Sequence, residues 1–231
     1  MNIGGFQKLT LLDYPGLMAC IVFTPGCNFR CPFCHNSGLV LPEQLTSPVP
    51  ETEVLDYLKM RRGLLEGVVI TGGEPLLHGE LGDFIKRVRA LGYKIKLDTN
   101  GSFPDRLQEL IRAGLIDYVA MDIKQAPRRY EAAAGVPSDR VVPLIEQSLR
   151  YLRSSGIPFE LRTTVVRGIH TAQDVVALAR WIAGPQPYYL QSYVDSGHVI
   201  SPERLSAFSP EELSEMLEHV RAYCPNAAVK R

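Results

Sequence analysis

The chain has 231 residues, of which 45% are hydrophobic, and its 25 basic residues balance its 25 acidic residues. This size allows one buried core, and the balanced charge favours neither nucleic acid nor a membrane surface as a partner. No segment predicts a membrane span or a secretory signal, and five cysteines, three of them crowded together, do not suggest a disulfide framework. We expect a cytoplasmic protein.

In chain order, short β-branched or aromatic runs alternate with helical patterns. The predicted strands are 19–24, 67–71, 94–98, 118–122, 159–166 and 188–193. The predicted helices are 51–62, 81–91, 105–113, 140–154, 172–183 and 210–223. Capping boxes mark two of these helix starts, Thr171 with Asp174 and Ser209 with Glu212.

This strict alternation predicts an α/β fold, a parallel sheet covered by helices. Six units are two short of a complete eightfold barrel, so we expect an open, partial (β/α)6 TIM-like barrel. We expect one domain over residues 1–231. Its parts are a strand-turn lead-in at 1–17, the six-unit core at 18–194, and a C-terminal helix and tail at 195–231.

Polar residues stand at the ends of the predicted strands. The first three strands are followed by a cysteine loop, by 72–75 (GGEP) and by 98–101 (DTNG), and the later ones carry Asp122, Lys124, Arg162 and Gln191. Active sites of parallel barrels lie at the carboxyl ends of the strands. These segments are therefore expected to meet at one rim.

Three cysteines, Cys27, Cys31 and Cys34, lie within eight residues. Soft thiolates suit iron–sulfur clusters and zinc, and closed sites of either kind use four protein ligands. Three ligands therefore indicate a cluster with one iron open to a substrate. The alternative is zinc with His35 or Cys20 as the fourth ligand. It is disfavoured because His35 adjoins Cys34 and Cys20 lies in a predicted buried strand.

The C-x3-C-x2-C spacing resembles that of the radical S-adenosylmethionine superfamily, and Phe33 matches the aromatic residue that precedes its third cysteine. The resemblance implies a [4Fe-4S] cluster on the three cysteines, with S-adenosylmethionine chelating the fourth iron. It also implies an external one-electron donor of the flavodoxin or ferredoxin type. Reductive cleavage of the cofactor would then give a 5′-deoxyadenosyl radical.

The segment Gly72-Gly73-Glu74 follows the second predicted strand. Two glycines allow a close approach of the backbone to a ligand, and Glu74 offers an acceptor for an ammonium group. Some forty residues beyond the cysteine loop, this segment resembles the GGE element of the superfamily. That element hydrogen-bonds the methionyl amine of the cofactor.

The segments DTNG and MDIK resemble those of glycyl-radical-enzyme activases. The resemblance implies that Asp98, Thr99 and Asp122 help to form a monovalent-cation site, and that Lys124 contacts the cofactor or the substrate backbone. Arg162 is a candidate fork for the methionyl carboxylate. Gln191 is a candidate partner of the ribose or adenine. Both could instead be polar residues of the core.

The run Cys34-His35-Asn36 resembles the CHN ending found in activases of pyruvate formate-lyase and of anaerobic ribonucleotide reductase, which places Asn36 beside the cofactor. Residues 5–8 (GFQK) and 13–16 (DYPG) resemble the opening of anaerobic ribonucleoside-triphosphate reductase activating proteins. The partner implied is a glycyl radical enzyme, from which the radical takes a glycine hydrogen.

Two alternatives stay open. One is a radical enzyme of the 7-carboxy-7-deazaguanine synthase type, which acts on a small pterin-like molecule and commonly requires magnesium. The other, from a different class, is a non-catalytic zinc-binding interaction module. Four histidines, His78, His170, His198 and His219, are expected in solvated or capping roles.

Overall fold

A computed structural model describes residues 1–41, 47–195, 197, 199–201 and 203–230. His198 lies outside these residues, as does part of the loop between 41 and 50. The described chain forms eight strands and eight α-helices. The strands are β1 (Gly5–Thr10), β2 (Ala19–Thr24), β3 (Gly67–Gly72), β4 (Lys94–Thr99), β5 (Tyr118–Asp122), β6 (Phe159–Val165), β7 (Tyr188–Ser192) and β8 (Ala227–Lys230).

Most of the helices connect consecutive strands. They are α1 (Ser37–Val40), α2 (Glu51–Met60), α3 (Leu81–Ala90), α4 (Pro104–Arg112), α5 (Tyr130–Ala134), α6 (Ser138–Ser155), α7 (Ala172–Trp181) and α8 (Pro210–Arg221). Both predicted capping boxes are present. Thr171 and Asp174 exchange hydrogen bonds at the start of α7, as Ser209 and Glu212 do at the start of α8.

All eight strands belong to one sheet, in the order β1-β2-β3-β4-β5-β6-β7-β8. β1 pairs antiparallel with β2, and every later pair is parallel. In the described part of the chain no ladder joins β8 to β1, so the sheet is open between these two strands. The expected open, partial barrel is confirmed.

The sequence analysis missed two elements. β8 adds a parallel strand beside β7 in a tail where only a helix was expected. The short helix α5 lies between β5 and α6. Neither is long enough to show a period: β8 has four residues and α5 has five.

The inner face of the sheet carries apolar residues on β2 and β3, such as Ile21 and Val69, and charged residues on β4. In β4, Ile95 and Leu97 belong to the main hydrophobic core, whereas Lys96 and Asp98 form an ion pair on the opposite face of the strand. On β4, the charged side chains therefore face the interior of the barrel.

The lead-in hairpin closes one end of the barrel. The buried Tyr14 ring lies against Gly67 and Tyr118, which are the first residues of β3 and β5. A Cβ on Gly67 would lie 2.7 Å from the Tyr14 ring, so this packing requires glycine. Access to the interior is left at the carboxyl ends of the strands and at the open side.

Among the described residues, no helix has the length and apolar character needed to cross a bilayer.

Candidate active site

A cavity of about 440 Å³ lies at the carboxyl ends of the strands. Thirteen of the fourteen residues predicted for the site line it, and Glu74 is the exception. The thirteen are Cys27, Cys31, Phe33, Cys34, Asn36, Gly72, Gly73, Asp98, Thr99, Asp122, Lys124, Arg162 and Gln191. Two residues of the lead-in, Gln7 and Asp13, also line the cavity and were not predicted.

The cysteine loop is held against α5. The backbone N–H of Arg30 donates to the carbonyl of Ala134 over 2.9 Å, and the Phe29 ring meets Tyr130 edge-on. The next residue, Gly135, has φ of +67°, and a Cβ there would lie 2.4 Å from the Arg30 carbonyl oxygen. Only glycine therefore allows this close approach. The helix that the sequence analysis missed is one support of the cysteine loop.

The three thiols fit an iron–sulfur cluster. Burial raises the pKa of Cys27 to about 11 and that of Cys31 to about 12, and it also raises the pKa of Cys34. A metal cation supplies the charge that makes buried thiolates favourable. In the described part of the chain no three His, Cys, Asp or Glu side chains converge on a single ion. A cluster binds each thiolate through a different iron, so its ligands stand further apart than those of one ion.

The glycine pair brings β3 against the start of the cysteine loop. Gly73 donates its backbone N–H to Thr24, and Glu74 donates its N–H to Gly26, both over 2.8 Å. A Cβ on Gly73 would lie 1.8 Å from the Gly26 carbonyl oxygen. Asn36, at the far end of the loop, donates through Nδ2 to the Gly72 carbonyl over 3.2 Å.

Glu74, expected to accept from the methionyl amine, is the one predicted site residue that does not line the cavity. Its side chain is fully buried behind the cavity wall and accepts three hydrogen bonds. The donors are the Thr99 hydroxyl (2.8 Å), the Asn100 N–H (2.7 Å) and the Leu76 N–H (3.0 Å). Burial raises the pKa of Glu74 to about 7. The Glu74 carboxyl group holds the turn after β4 through Thr99 and Asn100.

Five charged side chains form a continuous chain of ion pairs across β4, β5 and β6. Arg162 bridges two carboxylates, with Nη1 3.0 Å from Asp98 and Nε 2.9 Å from Asp122. At the two ends, Lys96 pairs with Asp98, and Lys124 pairs with Asp122 over 3.1 Å. Four of these five side chains, all but Lys96, line the cavity.

This charge chain governs the protonation of its members. Burial opposes the charge on Asp122, yet Arg162 and Lys124 together hold its pKa well below the usual range. Burial likewise opposes the charge on Lys124, but Asp122 raises its pKa overall. Asp122, Lys124 and Arg162 are therefore charged near neutral pH. The carboxylates expected to bind a monovalent cation are thus already paired with cations of the protein.

Lys124 is fixed by two residues that sequence reasoning did not place in the site. The hydroxyl of buried Tyr130 accepts the Lys124 N–H over 3.2 Å. The Nδ1 atom of His170 accepts the Val166 N–H, so its Nε2 carries the proton and donates to the Lys124 carbonyl over 2.8 Å. His170 is 3% exposed and meets the Phe33 ring edge-on. The solvated role expected for His170 is wrong, whereas its side chain does bond two main-chain groups, as a capping residue would.

The sequence matches the family described as "Radical SAM superfamily" over residues 21–182. This match covers more than half of the chain and includes the cysteine loop, the glycine turn and the charge chain. The chain belongs to the radical SAM superfamily. The resemblance drawn from the motifs is confirmed, and family membership implies a [4Fe-4S] cluster with S-adenosylmethionine.

Two curated relatives differ in the activity that their names give. "Putative glycyl-radical enzyme activating enzyme MJ1227" from Methanocaldococcus jannaschii is 28% identical over 99% of this chain and 95% of its own length. "Probable GTP 3',8-cyclase" from Thermococcus kodakarensis is 32% identical over 69% of this chain. The match covers 52% of the cyclase, so this chain spans about half of its length.

Solved structures share the fold at low sequence identity. A radical SAM methyltransferase from Sphaerobacter thermophilus matches 96% of this chain and 68% of its own, with a TM-score of 0.71 and 18% identity. Streptococcus suis SuiB bound to S-adenosylmethionine matches 91% of this chain and 52% of its own, with a TM-score of 0.66 and 16% identity. At these identities the likeness concerns the fold alone.

Proposed function

We propose that this protein activates a glycyl radical enzyme, with anaerobic ribonucleoside-triphosphate reductase as the first candidate partner. The observation that carries the proposal is the match to a relative named as a glycyl-radical enzyme activating enzyme, because it extends over nearly the full length of both chains. A second relative with such a name, from the same organism, is 22% identical over 86% of this chain.

In this proposal, Cys27, Cys31 and Cys34 hold the cluster. When bound, the cluster and S-adenosylmethionine supply the 5′-deoxyadenosyl radical that takes a hydrogen from the partner's glycine. Lys124 and Arg162 both line the cavity, where their cationic groups would attract the methionyl carboxylate of the cofactor. The electron comes from a flavodoxin- or ferredoxin-type donor.

A protein substrate needs a wide entrance. The sheet is open between β1 and β8, and the cavity reaches toward that opening because Gln7 of β1 and Gln191 of β7 both line it. We propose that a loop of the partner enters from this side. We propose Gln191 as a partner of the ribose or adenine, and Asn36 as a residue that holds the cysteine loop beside the cofactor.

The test combines two products measured in one tube. The reconstituted protein is incubated without oxygen with reductant, S-adenosylmethionine and a glycyl radical enzyme of the same organism. Electron paramagnetic resonance then detects the glycyl doublet, while chromatography measures 5′-deoxyadenosine. Cys34→Ala should abolish both, whereas Cys224→Ala is the matched control, because that buried thiol contacts Ala179 away from the cavity.

A doublet that depends on Cys34 establishes the activase. Deoxyadenosine without a doublet, across the glycyl radical enzymes of the organism, refutes it while leaving the radical chemistry in place.

A second candidate is radical chemistry on a small purine- or pterin-like molecule. The observation in its favour is the 32% identity to a GTP 3',8-cyclase over 69% of this chain. Its test adds GTP or a pterin, with magnesium, in place of the protein partner. Consumption of the small molecule in step with deoxyadenosine would establish this candidate.

A further inference from the structure

Asn100 is a buried polar residue of the DTNG segment to which no role has yet been given. It is 6% exposed, lines the cavity and follows directly after β4. Its position is fixed through the main chain, since its N–H donates to Glu74 over 2.7 Å. The neighbouring Thr99 hydroxyl donates to the same carboxylate over 2.8 Å. The turn that carries Asn100 is therefore held from behind the cavity wall.

The hydrogen bonds of the side chain determine the orientation of its amide. Oδ1 of Asn100 accepts from the N–H of Ser102 over 2.9 Å and from its hydroxyl over 2.6 Å. The amide nitrogen must therefore be on the opposite side, where it donates to Oδ1 of Asn28 over 2.9 Å. Asn28 in turn donates to the Ser102 hydroxyl over 2.9 Å, which closes a ring of three hydrogen bonds.

One hydrogen of the Asn100 amide is left for another acceptor. The Sγ atom of Cys27 lies 4.0 Å from Nδ2, at the long end of the range for a donor to sulfur. The same sulfur accepts the Phe29 N–H over 3.4 Å. Asn28 adjoins Cys27 in sequence, so the hydrogen-bonded ring couples the turn after β4 to this one cysteine.

We propose that Asn100 is a positioning residue that donates a hydrogen bond to the Cys27 thiolate and thereby raises the reduction potential of the cluster. Hydrogen bonds to the sulfurs are among the factors that set the potential of an iron–sulfur cluster. Reduction adds negative charge, which an N–H donor stabilises, so removing the donor disfavours the reduced state. The inference rests on the cluster at the three cysteines and is independent of the substrate.

The test is a redox titration followed through the resonance of the reduced cluster. Asn100→Ala removes the donor, and we expect about a tenfold lower ratio of reduced to oxidised cluster at a fixed solution potential, because a hydrogen bond to a charged acceptor is lost. For a one-electron couple, this is a shift of about 59 mV to more negative potential. Asn226→Ala is the matched control, because its amide bonds the Pro185 carbonyl at an exposed position.

Iron content per chain is measured in every sample. A variant that holds a full cluster at the wild-type potential overturns the proposal. If Asn100→Ala holds no cluster, Asn100→Leu replaces it, because its side chain fills the space of the amide and offers no N–H donor to Cys27. Here too a negative shift supports the proposal and an unchanged potential refutes it. If the reduction potential shifts but no glycyl doublet forms with any partner, the role of Asn100 is supported and the activase proposal is refuted. Failure of one proposal can therefore be told apart from failure of the other.

Discussion

Gly73→Ala is predicted to disrupt the contact between the glycine turn and the cysteine loop. A Cβ at position 73 would lie 1.8 Å from the carbonyl oxygen of Gly26 and 2.6 Å from its carbon. Both are main-chain atoms, so no side chain can rotate away to relieve the clash. The two segments must separate by at least 1.2 Å to reach 3.0 Å, the closest approach that real Cβ atoms show.

The expected cost has two parts. Forcing an extra methyl group into a packed region typically costs about 1–3 kcal/mol. The separation also weakens two hydrogen bonds, Gly73 to Thr24 and Glu74 to Gly26, each worth about 1 kcal/mol. We expect the free energy of unfolding to fall by about 3 kcal/mol. Because Gly26 adjoins Cys27, the variant should also hold less iron.

Urea unfolding of the metal-free protein and iron content after reconstitution measure the two effects separately. The matched control is Gly79→Ala, where nothing lies within 4 Å of an added Cβ and φ is not in the left-handed region. If Gly73→Ala unfolded at the same urea concentration as Gly79→Ala and bound as much iron, the claimed contact between the two backbones would be refuted.

Two further predictions concern charge and pH. Arg162→Met removes the bridge between Asp98 and Asp122, so the free energy of unfolding in urea should fall by on the order of 3 kcal/mol. The control Lys86→Met breaks an exposed pair and should cost less than about 1 kcal/mol. Equal losses in the two variants would contradict this reasoning. Burial lowers the pKa of His170, so below about pH 6.5 the unfolded chain gains a proton there that the folded protein does not. Wild-type stability should therefore fall on acidification relative to His170→Gln, and a stability difference that stayed constant between about pH 7.5 and pH 5.5 would refute this.

The parallel strands of the core could be predicted closely because each is a short apolar run bounded by turn residues. The predicted strand 118–122 matches β5, and 94–98 lacks only the last residue of β4. β8 could not be predicted because Ala-Ala-Val-Lys has neither the length nor the pattern of an independent strand. It forms because β7 offers it a parallel partner.

The meeting of the site residues at one rim was predictable, whereas their pairing was not. Strand ends in a parallel sheet share an edge, so Asp98, Asp122 and Arg162 had to be near one another. The register decides which atoms touch: Asp122 lies directly beside Arg162 across β5 and β6. No sequence pattern fixes a register, so the bridge that the Arg162 guanidinium forms between the two aspartates could not be predicted.

Glu74 shows why a motif can indicate a site without revealing how it works. Gly72 has φ of +111°, which turns the chain at the end of β3 and directs the Glu74 side chain toward the end of β4. The glutamate then holds Asn100, whose amide faces Cys27, while the Glu74 N–H holds Gly26, next to Cys27. Glu74 is thus linked to Cys27 in two ways, through Asn100 and through Gly26. A change at Gly72 or Gly73 should therefore alter the cysteine loop, even though the Glu74 carboxylate is buried and does not line the cavity.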